Sequence, residues 1–194
     1  MGWLSDGLNW VRDKALDIGA SILSITLGTL FHYLYIGTVY TLNAFKSKKR
    51  ISDCLIKVME DLDLFPSDVN LSKVRIIQNA RGLAGDGLTN NYTIYISGKF
   101  DEIESLRLLL HELKHVAQYQ DMGYALFVIT YDYQFVRYGY TSAPLEKAAR
   151  KFADDNEVKV NDQYDLDCRL VTSPNSPVFK QMIIDEDWTM LLDL

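Results

Sequence analysis

The segment Leu106–Gln120, LRLLLHELKHVAQYQ, carries residues whose types and spacing can bind a metal ion. His111 and His115 lie four residues apart, and Glu112 directly follows the first histidine. On an α-helix, residues four apart project from the same face, so both imidazoles can reach one ion. Zinc lowers the pKa of a bound water to about 7, and Glu112 is placed to accept its proton. The HExxH pattern therefore predicts a zinc site with Glu112 as general base.

A catalytic zinc site needs a third protein ligand and one open coordination position. The only other histidine of the chain, His32, lies far upstream in an apolar segment. If the third ligand is a carboxylate, Glu146 is the first to consider, because it lies in the first turn of a helix that Pro144 is expected to open. Residues 124–140 are long enough to form a helix that returns the chain to the site. We predict Glu146 as the third ligand.

The helix that carries the motif must hold the histidines at the edge of the core. Its apolar stripe points away from them and consists of Leu106, Leu109, Leu110, Leu113 and Ala117. Residues 50–66 predict a second amphipathic helix that ends before Pro66. Residues 124–140 are rich in aromatic side chains and predict a buried helix, although their pattern also permits a strand.

Two short segments between these helices have the composition of strands. Residues 72–80 and 91–99 are rich in β-branched and aromatic side chains. Between them lies a stretch rich in turn residues, in which Gly82–Leu88 is interpreted as a hairpin connection because it lacks the lysine and the context of a phosphate loop. A pair of strands is expected, with any third strand very short.

The N-terminal part of the chain leaves three interpretations open. Residues 18–45 contain no Asp, Glu, Lys or Arg, and about 20 apolar residues suffice to span a bilayer. Residues 17–45 could contact or span a membrane, with Lys46–Arg50 as a positive flank. They could instead form core helices interrupted at Gly28 and Gly37, or a segment that inserts only under some conditions. An amphipathic helix is expected before residue 17, and the chain after residue 161 is expected to be mostly loop.

Composition excludes one class of partner and leaves the redox compartment open. A net charge of −6 and a pI near 5.0 give no basic surface for nucleic acid. Cys54 and Cys168 are far apart and follow no metal or redox spacing. We expect two free, buried thiols, with a single disulfide as the alternative.

Weaker assignments concern residues around the motif. Tyr140 is the preferred hydroxyl for stabilising an oxyanion, because it comes shortly before the ligand helix, and Tyr131 and Tyr138 are alternatives. Gln118 is interpreted as a solvated helix position, with a side chain that faces the cleft as the alternative. Asp154 is considered as a hydrogen-bond partner of a ligand histidine, with a plain helix carboxylate as the alternative.

The motif helix and the segment after it also resemble a known family. LLLHELKHVAQYQ followed by YGYTSAPLEKAARKFAD is similar to zinc metallopeptidase domains of the eCIS-core type, small bacterial domains associated with toxin-delivery systems. The resemblance covers about residues 74–154, and its second motif consists of Tyr140, Pro144, Glu146 and Ala149. It implies a gluzincin-like site in which His111, His115 and Glu146 bind zinc and Glu112 is the general base.

Together, the motif and the resemblance predict an α+β, zincin-like fold, mostly helical, with a small sheet packed on the HExxH helix. The expected organisation is an N-terminal segment over residues 1–50, a metallopeptidase domain over 51–160 and an acidic tail over 161–194. The expected function is hydrolysis of peptide bonds in a peptide or protein substrate. The resemblance implies a secreted or delivered bacterial effector. Two rival hypotheses are a membrane-inserting protein and an interaction protein, each with a structural zinc site.

Overall fold

The computed structural model of the chain describes residues 26–169, which form an α+β arrangement of helices around a small sheet. The elements are α1 (residues 26–43), α2 (Asp53–Asp61), β1 (Arg75–Ile77), β2 (Gly87–Asn90), β3 (Thr93–Ile96), α3 (Leu106–Met122), α4 (Tyr124–Tyr138) and α5 (Pro144–Tyr164). The mostly helical α+β class predicted from the sequence is confirmed. The helix expected before residue 17 lies outside the described residues. The expectation of loop from residue 161 is wrong over residues 161–169, because α5 continues to Tyr164 and a π-helical turn, Asp165–Arg169, follows it; the rest of the tail lies outside the described residues.

The sheet has the order β1-β3-β2, with β3 parallel to β1 and antiparallel to β2. Because β1 and β3 are parallel, the interpretation of Gly82–Leu88 as a hairpin connection between them is wrong. The hairpin lies between β2 and β3, where Asn91 adopts a positive φ of 54°. Gly87 and Asn90 are poor strand formers. Strand β2 therefore forms through its contacts with β3 and α3 rather than through local preference.

Helix α3 is the central element and carries the HExxH motif. Its predicted apolar stripe is buried, with Leu109, Leu110 and Leu113 fully inaccessible to solvent. These side chains pack with residues of α2, β1 and β3 in the main core. The helix ends at Gly123, whose φ of 75° is a conformation that favours glycine.

Helix α5 begins at Pro144, as predicted, and packs along α3. Ala149 and Ala153 are completely buried, and their small side chains allow the two helices to approach closely. The close packing brings the first turn of α5 to the HExxH face of α3.

Residues 124–138 form the predicted helix α4, but the expectation that this helix is buried is wrong. Its buried residues are Phe127, Val128 and Asp132. Helix α4 packs against α3 on one side and leaves many apolar side chains exposed. Apolar residues all round a helix are typical of a buried helix, and that is why the sequence was misleading here.

Helix α1 continues through Gly28 and Gly37 without interruption. Its inner face buries Ile36, Val39 and Asn43, and the Asn43 side chain exchanges hydrogen bonds of 2.9 and 3.0 Å with the backbone of Arg81. Within residues 26–169, no helix combines the length and apolar character that crossing a bilayer requires.

Cys54 and Cys168 form a disulfide, so the expectation of two free thiols is wrong. The first turn of α2 and the turn that follows α5 meet in space, with a Cα–Cα distance of 6.1 Å. The cysteines are 114 residues apart in the chain. Their pairing depends on the tertiary fold, which sequence spacing does not report.

Candidate metal centre

Three side chains from α3 and α5 converge on one point. His111 Nε2 and His115 Nε2 are 3.2 Å apart. The Glu146 carboxylate lies 3.4 Å from His111 Nε2 through Oε2 and 3.3 Å from His115 Nε2 through Oε1. All three side chains are largely buried. The structure thus brings together the three residues that were predicted as ligands.

The separations are compatible with one metal ion held by all three side chains. Donor atoms bound at 2.0–2.1 Å to a tetrahedral zinc ion lie about 3.3 Å from one another. The two imidazole nitrogens are 3.2 Å apart, and each lies 3.3–3.4 Å from a different oxygen of the Glu146 carboxylate. When one donor atom is taken from each side chain, all three lie within 4.8 Å of one another. Two imidazoles and one carboxylate form a donor set used by zinc and by other divalent transition metals. The geometry therefore fits a metal ion without fixing its identity.

Gln118 fixes the tautomer of His115. The Gln118 side-chain nitrogen donates to the carbonyl oxygen of Leu145 at 3.2 Å, which turns the amide oxygen towards His115 Nδ1 at 2.8 Å. His115 Nδ1 therefore carries a proton, which leaves Nε2, the nitrogen that faces Glu146, as the ring nitrogen that can bind a metal ion. Gln118 is buried, so its interpretation as a solvated position is wrong.

Glu146 is held by neighbours besides the histidines. Tyr131 donates its hydroxyl to Glu146 Oε1 at 2.8 Å, and Arg150 lies 3.4 Å from Oε2. Burial would raise the pKa of Glu146, but the hydrogen bonds of His111 and His115 outweigh it and hold this pKa well below its usual range. The carboxylate therefore stays ionised, as a metal ligand must.

Glu112 lies in the same cavity and is almost completely buried. The hydroxyl of Thr89 on β2 donates to Glu112 Oε2 at 2.7 Å. Gly87 passes so close that a Cβ built there would lie 2.3 Å from Glu112 Oε1. Burial raises the pKa of Glu112, although the two histidines of the site act in the opposite direction. A carboxyl group with a raised pKa beside the donor cluster is suited to accept and return a proton.

Tyr140 lines the cavity from the turn before α5 and is half exposed. Burial, with the nearby charge of Glu146, raises its pKa to about 12. Its hydroxyl is therefore protonated at neutral pH and can donate a hydrogen bond. Tyr138, the alternative considered from the sequence, is exposed and is not among the residues that line the cavity.

His32 of α1 also lines this cavity, which the sequence did not predict. Its Nδ1 lies 3.1 Å from Asp132 Oδ1 on α4, and its side chain is 10% exposed. Within residues 26–169, His32 Nε2 has no hydrogen-bond partner. An isolated histidine in an apolar segment offers no sequence signal for this pairing, because Asp132 lies 100 residues away in a different helix.

Asp154 does not support a ligand histidine. It pairs at the surface with Arg107 at 2.7 Å, on a part of α5 that the metal donors do not reach. Thr89 and Gly87 contact Glu112, but sequence analysis did not identify them, because they lie in a stretch that was interpreted as rich in turns. In the sequence they are marked by the pattern Gly-x-Thr, which is too common to identify a functional site.

The cavity itself is small, with a volume of about 50 Å³. That volume is enough for a few water molecules. Its walls include the aromatic side chains of Tyr119, Phe127 and Tyr131.

Comparison of the chain with family models, with curated proteins and with solved structures found no match.

Proposed function

We propose that the chain is a zinc-dependent metallopeptidase. The observation that carries this proposal is the cluster of donor atoms from His111, His115 and Glu146, which lie within 4.8 Å of one another, with Glu112 buried in the same cavity. When bound, zinc would supply the Lewis acidity that polarises a carbonyl group and acidifies water. Zinc is the proposed metal because two histidines and a glutamate are a common catalytic zinc set.

The residues of the chain divide the remaining chemistry. Glu112 accepts a proton from the attacking water and delivers it to the leaving amine. Thr89 and Gly87 fix the orientation of Glu112. Tyr140 donates its hydroxyl to the oxygen that gains negative charge as the carbonyl is attacked.

Strand β2 supports a peptide as substrate. It pairs with β3 on one side and has no strand partner on its other side among the described residues. An extended peptide can bind such an edge through backbone hydrogen bonds. Gly87 and Thr89, which touch Glu112, belong to this strand, so a peptide added there would lie close to the general base.

The proposed setting is a secreted or delivered bacterial effector. The resemblance over residues 74–154 to the eCIS-core type suggests it, and the disulfide is compatible with it. Disulfides persist in oxidising environments and are rare in the cytosol.

The test combines metal analysis with peptide cleavage. Zinc-loaded full-length protein should cleave members of a mixed peptide library, followed by mass spectrometry. Glu112→Gln should keep the metal and lower cleavage by at least about a hundredfold. Glu104→Gln is the matched control, because Glu104 is exposed in the turn before α3. Cleavage that is unchanged in Glu112→Gln would contradict the proposal.

A structural metal site is the second candidate, and the size of the cavity favours it. A volume of about 50 Å³ is far below that of ordinary ligand pockets, and the donors are largely buried. In that case removal of the metal should unfold the domain, while Glu112→Gln changes nothing. Circular dichroism during titration with a chelator separates the two functions. A catalytic site should lose its metal with the helices intact.

A further inference from the structure

The outer sides of α1 and α4 form a surface that the proposed peptidase function does not use. On α1, four of the exposed apolar side chains recur at helical spacing on one face, namely Leu27, Leu30, Phe31 and Leu34. On α4, four of them recur in the same way, namely Leu126, Ile129, Tyr133 and Val136. We call these eight residues the outer apolar surface. Phe31 is 66% exposed and Leu126 is 56% exposed, so these side chains extend well into solvent.

The two stripes adjoin because the helices lie side by side. A Cβ at Gly28 would lie 3.7 Å from the Cβ of Asp132 and 3.8 Å from Val136. Towards the other end of the contact, the rings of Tyr33 and Tyr124 are 6.4 Å apart. Both tyrosines are exposed, so the line along which the helices meet reaches the molecular surface. Monomeric soluble proteins rarely expose a continuous apolar area of this kind without a partner.

The surface is also nearly free of charge, in a chain of net charge −6. Residues 26–45 contain no Asp, Glu, Lys or Arg. His32 and Asp132 point inwards and pair with each other. Arg137 near the end of α4 is the remaining charged residue of that helix. No carboxylate on the exposed side of either helix would repel an anionic partner.

A basic cluster follows α1 directly. Lys46, Lys48, Lys49 and Arg50 lie within five residues of one another, and Phe45 beside them is fully exposed. Lys48 and Arg50 are exposed as well. Lys46 and Lys49 donate to the backbone carbonyls of Asn79 and Phe100. An apolar and aromatic helix surface that is followed along the chain by exposed cations matches a bilayer whose headgroups are anionic, because the apolar side chains enter the interface while the cations meet the headgroups.

We propose that the outer apolar surface docks on a membrane that contains anionic lipid, with α1 and α4 lying in the plane of the interface. Over the part of the chain that the structure describes, residues 26–169, neither helix has the length and apolar character that crossing a bilayer requires. The docking needs neither the metal nor cleavage, so it stands apart from the proposed peptidase function.

The test is co-sedimentation of the full-length protein with lipid vesicles. Vesicles of phosphatidylcholine with about one third phosphatidylserine should bind the protein more tightly than phosphatidylcholine alone, and salt should weaken the binding. The variant Leu30→Asp, Phe31→Asp, Leu34→Asp should lower the partition coefficient by more than about tenfold. The matched control is Val158→Asp with Leu166→Asp, which changes two exposed apolar residues on a different part of the molecule.

A second variant shows whether a loss of binding comes from the apolar surface or from misfolding of the first variant. Leu126→Asp with Ile129→Asp changes α4 instead of α1 and should weaken binding in the same way, with the circular dichroism spectrum kept. Three results would overturn the proposal. One is a wild type that binds no vesicles. Another is binding that persists in both variants, which would assign it to other residues. The third is a dimer in light scattering that both variants dissolve, which would make a second copy the occupant of the surface.

Discussion

The contact between α3 and α5 and the contact between α1 and α4 both bury histidine and carboxylate side chains, but they treat them differently. Around Glu146, the donors belong to a network that includes Gln118, Tyr131 and Arg150. Between α1 and α4, His32 and Asp132 pair through one nitrogen and one oxygen. Their second polar atoms, and the hydroxyl of Thr29, have no partner within residues 26–169.

The two contacts differ in how many of their buried polar atoms lack a hydrogen-bond partner. An unpaired buried polar group costs about 1–3 kcal/mol of folding free energy. Removing one member of the α3–α5 network would leave its partners unpaired, so the network stabilises the fold only when all of its members are present. In the α1–α4 contact, His32 Nε2 and Asp132 Oδ2 are two such atoms among the described residues. The α3–α5 contact is therefore expected to be rigid around the three candidate donors, and the α1–α4 contact to be the weaker of the two.

The largest expected effect comes from removing a donor. Glu146→Ala should lower zinc affinity by more than about a hundredfold, because changes to groups that only support ligands already cost 10- to 100-fold. Competition with a chromophoric chelator measures the affinity. Glu157→Ala on the same helix is the control and should leave it unchanged. An unaltered affinity in Glu146→Ala would place the third ligand elsewhere.

The disulfide should contribute the largest effect on folding stability, because it ties the end of α5 to α2. Closing a loop of about a hundred residues restricts the unfolded chain by about 4–5 kcal/mol. Cys54→Ser combined with Cys168→Ser should lower the free energy of unfolding by up to this amount in urea denaturation. Equal midpoints for the double variant and the oxidised wild type would show that the bond adds nothing to stability.

The α1–α4 contact can be tested with Asp132→Ala. The substitution leaves His32 Nδ1 without its partner and should cost about 1–3 kcal/mol, while zinc affinity stays constant. Asp154→Ala breaks an exposed pair with Arg107 and should cost less than about 1 kcal/mol. If the two variants lose the same stability, the buried pair is no more important than the exposed one.

The smallest effect is a pH dependence that distinguishes the metal-free from the loaded protein. The pKa values of Glu112 and His115 are raised above 4.5 and 6.5 in the folded metal-free chain. For Glu112 burial is the cause. For His115 burial acts downwards, and the interactions with Glu146 and Glu112 outweigh it. Both residues therefore contribute stability at low pH that is lost as pH rises through their raised pKa values.

Glu146 acts in the opposite sense, since its lowered pKa contributes stability above 4.5 that is lost on acidification. The metal-free protein should thus be most stable in mild acid, between about pH 4.5 and 6.5. Metal binding requires unprotonated histidines, so the gain in melting temperature from zinc should grow towards pH 8. Calorimetry with and without zinc measures it. A gain that is constant across this range would contradict the assignment of His115 as a ligand.

The sequence predicted the parts of this site that follow from local periodicity. The spacing of His111 and His115 gives their common face on any helix, and the leucine stripe gives the side that is buried. Pro144 predicted the start of α5 and therefore the place of Glu146. These features depend on residues within one or two turns of each other.

The remaining features depend on contacts between distant parts of the chain. The disulfide, the pairing of His32 with Asp132 and the support of Glu112 by Thr89 each join separate elements. Strand β2 lies in a segment whose own composition favours turns. Helix α4 was predicted to be buried because it is rich in apolar residues. The sequence of a helix does not show how much of its surface other elements cover.

The start of α5 has a consequence for which changes of length the chain can accept. Glu146 is the third residue of a helix whose first residue is Pro144. A residue inserted between Glu146 and Ala149 would turn the carboxylate by about 100° around the helix axis relative to the buried alanines that pack against α3, and would shift it by about 1.5 Å, away from both imidazoles. A residue inserted before Pro144 would lengthen the turn after Gly139 and leave that angle intact. The number of residues between Glu146 and the buried alanines therefore fixes the position of the carboxylate.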